Sequence, residues 1–273
     1  MTGRSPAAAV TAGGPLRDYD DIFVPVLFHP WACLLVGALT PEPASAALDV
    51  GTGPGTVARV LAACVGPAGR VVAVDSNADM LALAENKPAV AGAPISYLEG
   101  DAGALQVPDD EFDVVTCQQI LQFVTDLPAA LAKIRVSVKH GGRLGALTWC
   151  ALDRNPLFRV LFDTVRDQFG SEAAEAFAKP WSLSAPETAR AVAAAGFTDV
   201  LARRHTLPAV FPGGPDQVCR FFGFTSVGGD LSDLDETSRH AFYKLARKRL
   251  APMTAGDGTL YTTTTAALIV ARA

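Results

Sequence analysis

A short glycine-rich stretch, Leu48-Asp49-Val50-Gly51-Thr52-Gly53-Pro54-Gly55-Thr56, constrains this chain more than any other feature. The apolar run at residues 46–50 predicts a short buried strand, and the apolar spacing of residues 57–64 predicts a helix. A strand, a glycine turn and a helix start together form a nucleotide cradle. Bare backbone allows a ligand to approach closely, and the free N–H groups of the helix start point at it.

The glycine spacing departs from the dinucleotide fingerprint, which requires glycine at the first, third and sixth positions of the turn. Here the third glycine, Gly55, is at the fifth position and Thr56 takes the sixth. Asp49 lies two residues before Gly51, where a carboxylate repels a pyrophosphate but attracts a cationic ligand group. A role for Asp49 as a simple brace of the turn remains open.

These residues resemble motif I of the class I S-adenosylmethionine-dependent methyltransferases. The resemblance implies an acidic residue at the end of the second strand, and residues 70–75 supply it as Asp75. A carboxylate there can accept both ribose hydroxyls, and Asp75 follows Gly51 by 24 residues, close to the spacing of about 20 in doubly wound folds. The implied cofactor is S-adenosyl-L-methionine, with S-adenosyl-L-homocysteine as its product.

The resemblance also assigns roles further along the chain. Asp101 resembles the acid that accepts the adenine amino group, and the Ala102 N–H resembles the donor to a ring nitrogen. Ser76 is predicted to cap the following helix, and Met80 packs either on the adenine or in the core. The predicted cofactor-binding residues are Tyr19, Asp49, Gly51, Thr52, Gly53, Gly55, Asp75, Ser76, Met80, Asp101, Ala102, Gln118 and Gln119.

Strand and helix patterns alternate through residue 149, which indicates an α/β fold. We predict a doubly wound, mostly parallel seven-stranded sheet, the Rossmann-like methyltransferase fold, with an N-terminal helical lid and helical insertions in the C-terminal half. Family resemblance implies that the last strand, near residues 260–271, runs antiparallel in a hairpin with the sixth. Residues 1–14 are predicted to be disordered because they are small, polar and without period.

Residues 15–40 are predicted to form the lid, as two short helices broken by proline, and residues 41–273 the methyltransferase domain, with cap insertions at 153–182 and 211–257. The lid pattern of Tyr19, Pro25, Phe28, Pro30 and Trp31 resembles that of the ubiquinone and menaquinone biosynthesis C-methyltransferases. A bacterial small-molecule subgroup related to those enzymes is the nearest resemblance.

Ligands of open α/β sheets bind beyond the carboxyl ends of the strands, which places Gln118 and Gln119 near the methyl end of the cofactor. Alternatively, the two amides bind only the backbone of the following loop. Large aromatic residues of the lid and the insertions wall either a substrate pocket or ordinary core. The predicted substrate-binding residues are Phe28, Trp31, Gln119, Phe177, Trp181, Phe221 and Phe222.

A sulfonium methyl group is already activated, so its transfer needs alignment more than covalent help, and alignment can lower a barrier by about 7–11 kcal/mol. A general base assists when the acceptor must lose a proton. His29, in the lid segment, is the candidate, because imidazole is the side chain that most readily gains and loses a proton near neutral pH. Alternatively, His29 only caps a helix or packs.

Composition limits the partners of the chain. A net charge of −5 over 273 residues gives no attraction to nucleic acid, and the apolar run Val24–Leu39 is shorter than the roughly 20 residues of a membrane span. We therefore expect neither nucleic-acid binding nor membrane insertion. Five widely spaced cysteines and no signal peptide favour reduced thiols in the cytoplasm. The His and Cys spacing predicts no metal site, and a homodimer is left open.

The predicted function is transfer of a methyl group from S-adenosylmethionine to an oxygen, nitrogen or carbon atom of a small, fairly apolar molecule. A specialised metabolite or a quinone-like compound fits the resemblance, although the C-terminal half departs from the quinone enzymes. One alternative keeps the cofactor but catalyses cyclisation or rearrangement. A second is a non-catalytic binding subunit.

Overall fold

The computed structural model describes residues 14–273, and the predicted disorder of residues 1–14 lies outside this range except for Gly14. A seven-stranded sheet with strand order β3-β2-β1-β4-β5-β7-β6 forms its centre. The strands are β1 Ala46–Val50, β2 Arg70–Asp75, β3 Ile95–Glu99, β4 Phe112–Gln118, β5 Val138–Trp149, β6 Thr198–Phe211 and β7 Leu260–Arg272.

Strands β1 to β5 are parallel, and β7 runs antiparallel between β5 and β6. The predicted fold class and the antiparallel hairpin are therefore confirmed. The strand order reverses direction between β1 and β4, and in open α/β sheets ligands bind at this switch point, beyond the carboxyl ends of the strands. Every residue of β1 is buried, as expected for the central strand of a sheet covered on both faces.

Helices cover both faces of the sheet and produce two separate apolar cores. They are α1 Pro15–Asp18, α2 His29–Leu39, α3 Thr56–Val65, α4 Ala78–Glu85, α5 Leu127–Ser137, α6 Pro156–Phe177, α7 Ala185–Ala194, α8 Gly214–Cys219, α9 Gly228–Asp233 and α10 Glu236–Leu250. One core contains α2, α3, α6 and α10, and the other contains α5 and α7.

The N-terminal segment is one continuous helical stretch, and the prediction that proline breaks it into two helices is wrong. Pro25 lies inside a π-helix, Tyr19–Phe28, which leads directly into α2. Proline has no N–H to donate, and the wider π turn continues past it, with the His29 N–H bonded to the Val24 carbonyl.

This segment, Leu16–Leu39, is the one helix among the described residues that is long and apolar enough to cross a membrane, with a mean hydropathy of 2.0 in its most apolar window. The expectation that the apolar run is too short is therefore corrected. Its inner face is occupied by protein, since Phe23, Leu27, Trp31 and Leu35 are at most 1% exposed. Helices buried in the core of a domain have this composition.

One local expectation also needs correction. The cap of α4 is Asn77, whose side chain accepts the N–H groups of Asp79 and Met80, and Ser76 is exposed. Helix α5 ends at Ser137, and Gly141 and Gly142 in β5 pair with the chain end at Ala273. Helix α6 extends to Phe177 with a kink at Gly170. Helix α7 begins with a capping box formed by Ser184 and Glu187.

Candidate functional site

The glycine loop lies at the carboxyl end of β1 and is tied to the neighbouring strand. The N–H groups of Gly51 and Thr52 both donate to the Val74 carbonyl, at 2.8 and 3.0 Å. Gly51, Gly53 and Gly55 have φ angles of 72°, 53° and 78°, a region that favours glycine. The backbone conformation of this loop therefore depends on all three glycines.

Two of these glycines also allow close packing of other side chains. A Cβ on Gly51 would lie 2.5 Å from Ile120 Cγ1, and one on Gly55 would lie 2.7 Å from the Tyr97 hydroxyl. A Cβ on Gly53 would meet nothing within 4 Å. Open space beside Gly53 leaves the backbone there accessible to a ligand.

Asp75, at the end of β2, holds the loop from the other side. One carboxylate oxygen accepts the Gly53 N–H at 2.7 Å and the other accepts the Asn77 N–H at 2.9 Å. Burial raises the pKa of Asp75, while these N–H groups act in the opposite direction. Each carboxylate oxygen can accept a second bond, so the structure leaves Asp75 able to receive the hydroxyls predicted for it.

Asp49 is buried beneath the loop, at 1% exposure. Its Oδ1 accepts the Thr116 hydroxyl at 2.7 Å, and its Oδ2 has no partner of hydrogen-bond geometry. Burial raises the pKa of Asp49 to about 6, while the Thr52 and Thr116 hydroxyls and the Ala58 N–H act in the opposite direction. A buried carboxylate oxygen without a partner is costly unless a ligand pairs with it. The position of Asp49 is compatible with bracing the turn and with facing a cationic ligand group.

The third predicted acid lies at the next strand end. Asp101 is exposed and its Oδ1 accepts the Gly103 N–H at 2.7 Å. It borders a cavity of about 250 Å³ between the ends of β2 and β3, which is also lined by Val74, Leu98 and Ala104. Ala102 and Met80 are half-buried. The structure therefore brings the three acids to one edge of the sheet, with this cavity beside Asp101.

A larger cavity, of about 540 Å³, lies at the opposite edge of the sheet, lined by residues 40–45, 113–114 and 139–143. The amino ends of β1, β4 and β5 surround it. Lys139 and Asp113 already pair with each other there, at 2.9 Å. Because ligands of this sheet type bind at the carboxyl ends, we assign no cofactor role to this cavity.

The N-terminal segment covers the glycine loop. The Tyr19 ring packs 5.1 Å from Phe28 and 5.4 Å from Phe224, measured between ring centroids. Burial raises the pKa of Tyr19, and the carboxylates of Asp75 and then Asp20 raise it further.

A lysine that the sequence analysis did not single out fastens this cover. Lys87 Nζ contacts Asp20 Oδ1 at 2.5 Å and the Pro54 carbonyl at 2.8 Å. It therefore joins the N-terminal segment to the glycine loop. Its place after α4 carries no motif by which it could have been found.

The end of β4 carries a row of buried amides. Gln118 Nε2 donates to the Phe28 carbonyl at 3.1 Å, and Gln119 Oε1 accepts the Trp149 N–H at 3.0 Å and Gln122 Nε2 at 3.2 Å. Both predicted glutamines thus bind backbone, although in the N-terminal segment and β5 instead of the following loop. Gln122 belongs to the same network and was not predicted.

An aromatic cluster lies around these amides. Trp149 packs on Phe28, Trp31 and Phe158, and Phe158 packs on Trp181 with ring centroids 4.6 Å apart. The predicted substrate residues Phe177, Phe221 and Phe222 continue the cluster.

Two of the predicted substrate-binding residues are completely surrounded by other protein groups. Trp31 is 1% exposed and its Nε1 donates to the Thr264 hydroxyl at 2.9 Å, so it belongs to the core between α2 and β7. Phe222 is fully buried against Phe242. We therefore remove Trp31 and Phe222 from the substrate wall. Trp181, in contrast, keeps a buried Nε1 without a partner.

His29 lies on the outer face of α2, where it is exposed, and its Nε2 is 3.5 Å from the exposed Cys33 Sγ. A general base has to reach the proton of a bound acceptor, at about 2.6–3.2 Å. The structure shows no contact between His29 and the amides or the acids, and so gives its predicted role no support. Among the described residues, no group of three or more His, Cys, Asp or Glu side chains could hold a metal.

Comparisons with known proteins match the part of the chain that contains the glycine loop and the strand-end acids. Residues 47–142 match the methyltransferase domain family. The chain is 33% identical over 153 residues to the ubiquinone/menaquinone biosynthesis C-methyltransferase of Ectopseudomonas mendocina, covering 55% of this chain and 59% of the relative. It is 35% identical over 134 residues to the 2-phytyl-1,4-naphthoquinone methyltransferase of Synechocystis, covering 47% and 56%. The chain thus spans less than two thirds of the length of these relatives.

Among solved structures, the phosphoethanolamine N-methyltransferase 2 of Haemonchus contortus, in complex with S-adenosyl-L-methionine, aligns with a TM-score of 0.62 at 15% identity. The alignment covers 100% of this chain and 60% of that one. This likeness confirms the fold, and the sequence matches agree with the predicted resemblance over 55% of the chain for the first relative and 47% for the second.

Proposed function

We propose that this chain, which contains a class I S-adenosylmethionine-dependent methyltransferase domain, transfers a methyl group to a small, fairly apolar molecule. The observation that carries the proposal is the free oxygen of Asp49, buried under a glycine loop at the switch point of the sheet. The domain match and the solved relative support S-adenosylmethionine as the cofactor.

The residues at this edge fit that cofactor. When bound, it supplies a methyl group already activated on a sulfonium. Asp75 would accept the ribose hydroxyls, Asp101 and the Ala102 N–H would receive the adenine, and Asp49 with Thr52 would face the cationic methionyl end. Gly53, with open space beside it, would let the ligand reach the backbone. Ser76 and Met80 are kept as proposed members of the site.

Methyl transfer needs a dry, aligned site more than a protein nucleophile. The N-terminal segment supplies the cover, because Lys87 joins Asp20 of that segment to the Pro54 carbonyl of the glycine loop. We therefore propose that this segment acts as the predicted lid, and that the helices at 153–182 and 211–257 act as a cap over the acceptor.

The half-buried rings of Phe28 and Phe221, which pack on Trp149 and Phe158 of the aromatic cluster, favour an acceptor with a flat apolar body. The names of the two curated relatives point to quinone-like acceptors. We propose a quinone-like compound or specialised metabolite, with the methylated atom an oxygen, nitrogen or carbon. Cytoplasmic location and the absence of nucleic-acid and membrane partners stay predictions, as does the oligomeric state.

The test is a binding and turnover measurement on the purified chain. Calorimetry should show S-adenosylhomocysteine binding, and incubation with methyl-labelled S-adenosylmethionine and a set of phenols and quinols should release S-adenosylhomocysteine in proportion to labelled product. A converted acceptor without that release supports the cyclisation or rearrangement alternative. Cofactor binding with no product from any acceptor supports the non-catalytic alternative, and no cofactor binding overturns the proposal.

A further inference from the structure

The side-chain amides at the end of β4 have orientations that their partners determine. The Trp149 N–H can only donate, so it must meet the carbonyl oxygen of Gln119. Gln122 then presents its NH₂ group to that same oxygen. These bonds fix the orientation of both amides. They leave Gln119 Nε2 and Gln122 Oε1 outside the network.

These remaining atoms are buried and have no partner. They are one donor, Gln119 Nε2, and one acceptor, Gln122 Oε1, with Gln122 only 7% exposed. Gln118 Oε1 is a further free acceptor. The segment Leu121–Phe123 contacts the turn Lys179–Trp181, where Trp181 Nε1 is a further buried donor without a partner. Buried polar atoms in proteins are nearly always paired, so atoms left free at a ligand edge point to a ligand.

Gln119 also has strained backbone. Its φ angle of 56° is in the left-handed region, although glutamine carries a Cβ. Its N–H is bonded to the Leu147 carbonyl at 2.9 Å, and its side chain is held by Trp149, so β5 maintains this conformation. Such strain is common where a side chain is held for a ligand.

The geometry points to Gln119 and Gln122 as a linked donor and acceptor pair that recognises the uncharged polar head of the methyl acceptor. The head must offer one oxygen to Gln119 Nε2 and one hydroxyl hydrogen to Gln122 Oε1. Two adjacent oxygens on an uncharged ring meet this demand, and the rings of Phe28 and Trp149, 6.3 Å apart, lie beside the amides. This inference rests on the proposed function and specifies its acceptor.

The experiment compares two ring probes on the protein saturated with S-adenosylhomocysteine. The first, 2,3-dihydroxynaphthalene, has hydroxyl hydrogens, and the second, 2,3-dimethoxynaphthalene, has none. By calorimetry the unaltered protein should bind the diol about tenfold more tightly, the scale of one net hydrogen bond. Gln122→Met should make the two affinities equal by weakening the binding of the diol alone, since the dimethoxy probe has no hydroxyl hydrogen to donate to Gln122 Oε1. Gln119→Met should weaken both probes.

The matched control is Gln168→Met, an exposed glutamine on α6, which should change neither probe. Thermal melting of each variant checks folding, and S-adenosylhomocysteine affinity should stay within about twofold.

The inference is overturned if the unaltered protein binds the two probes equally or binds neither. It is also overturned if Gln122→Met weakens both probes equally. A variant that loses S-adenosylhomocysteine instead moves the pair to the cofactor site. Failure of the unaltered protein to bind S-adenosylhomocysteine overturns the proposed function itself.

Discussion

The two halves of the ligand edge are built from different kinds of contact. On the β1 and β2 side, the glycine loop and Asp75 are held by backbone N–H groups of one strand-loop-helix unit and its neighbouring strand, and Asp49 adds one bond from Thr116 on β4. On the β4 and β5 side, the amides depend on partners from remote parts of the chain, such as Phe28 and Trp149. The first half suits a ligand that all members of a fold class share, and the second half can change with the acceptor.

The largest effect on stability is expected from substituting Gly51, where the glycine loop packs closely against Ile120. Gly51→Ala should lower the free energy of unfolding by about 4 kcal/mol, because it combines backbone strain at φ 72° with a collision against Ile120. Urea denaturation measures this. Gly53→Ala is the matched control, because the added Cβ would enter open space. It should lower the free energy of unfolding by about 1–2 kcal/mol. Equal losses in the two variants would show that the close contact with Ile120 has no energetic role.

The next effect concerns the charge of Asp49. Its folded pKa of about 6 lies above 3.8, the ordinary value of an aspartate carboxyl, so its contribution to stability is full below pH ~4 and is lost as pH rises to about 6. Asp49→Asn removes this loss, so at pH 7.5 the unliganded variant should be more stable than the unaltered protein by up to about 3 kcal/mol. At pH 3.5 the difference should be small.

The same substitution should weaken the bound state. Affinity for S-adenosylmethionine should rise about tenfold between pH 5 and pH 7.5 in the unaltered protein, as Asp49 ionises opposite the cationic ligand, and should stay flat in Asp49→Asn. Calorimetry at the two pH values measures this. A variant with unchanged affinity and the same pH dependence would remove Asp49 from the cofactor site.

A smaller effect is expected from the contact that joins the lid to the loop. Lys87→Met should lower stability by only about 1 kcal/mol, since both partners of its ion pair are partly solvent-exposed. Cofactor dissociation should nevertheless become about fivefold faster, because the lid loses its attachment to the Pro54 carbonyl. Stopped-flow release of a fluorescent cofactor analogue measures the rate. The exposed Lys133→Met serves as control, and equal rates in the two variants would argue against a lid role for Lys87.

The smallest effect is expected at His29, which is exposed on the outer face of α2. We expect His29→Ala to change kcat by less than about threefold, with no change in the pH profile, because the side chain contacts only Cys33. A loss of about a hundredfold would restore the base role that the sequence suggested. Steady-state kinetics from pH 6 to pH 9 decide between the two.

The sequence predicted the fold, the glycine loop and the strand-end positions of the acids, because all three follow from short-range rules. Strands alternate with helices, Gly51 and Gly55 need backbone that other residues rarely adopt, and Asp75 follows directly on a buried strand. The acceptor half was harder to predict. Trp31 and Phe222 had the composition of a pocket wall, yet both are core, since an aromatic ring buries a large apolar area wherever it packs.

By itself, then, the sequence determined the order of strands and helices, the conformation of the glycine loop and the positions of the three acids. Only the tertiary structure decided which distant groups meet. Lys87 lies 67 residues from Asp20 and Gln118 lies 90 residues from Phe28, and no periodicity links such pairs. The reason is physical. Local conformation depends on neighbours within a few residues, whereas the partners of buried amides and lysines depend on how whole elements pack together.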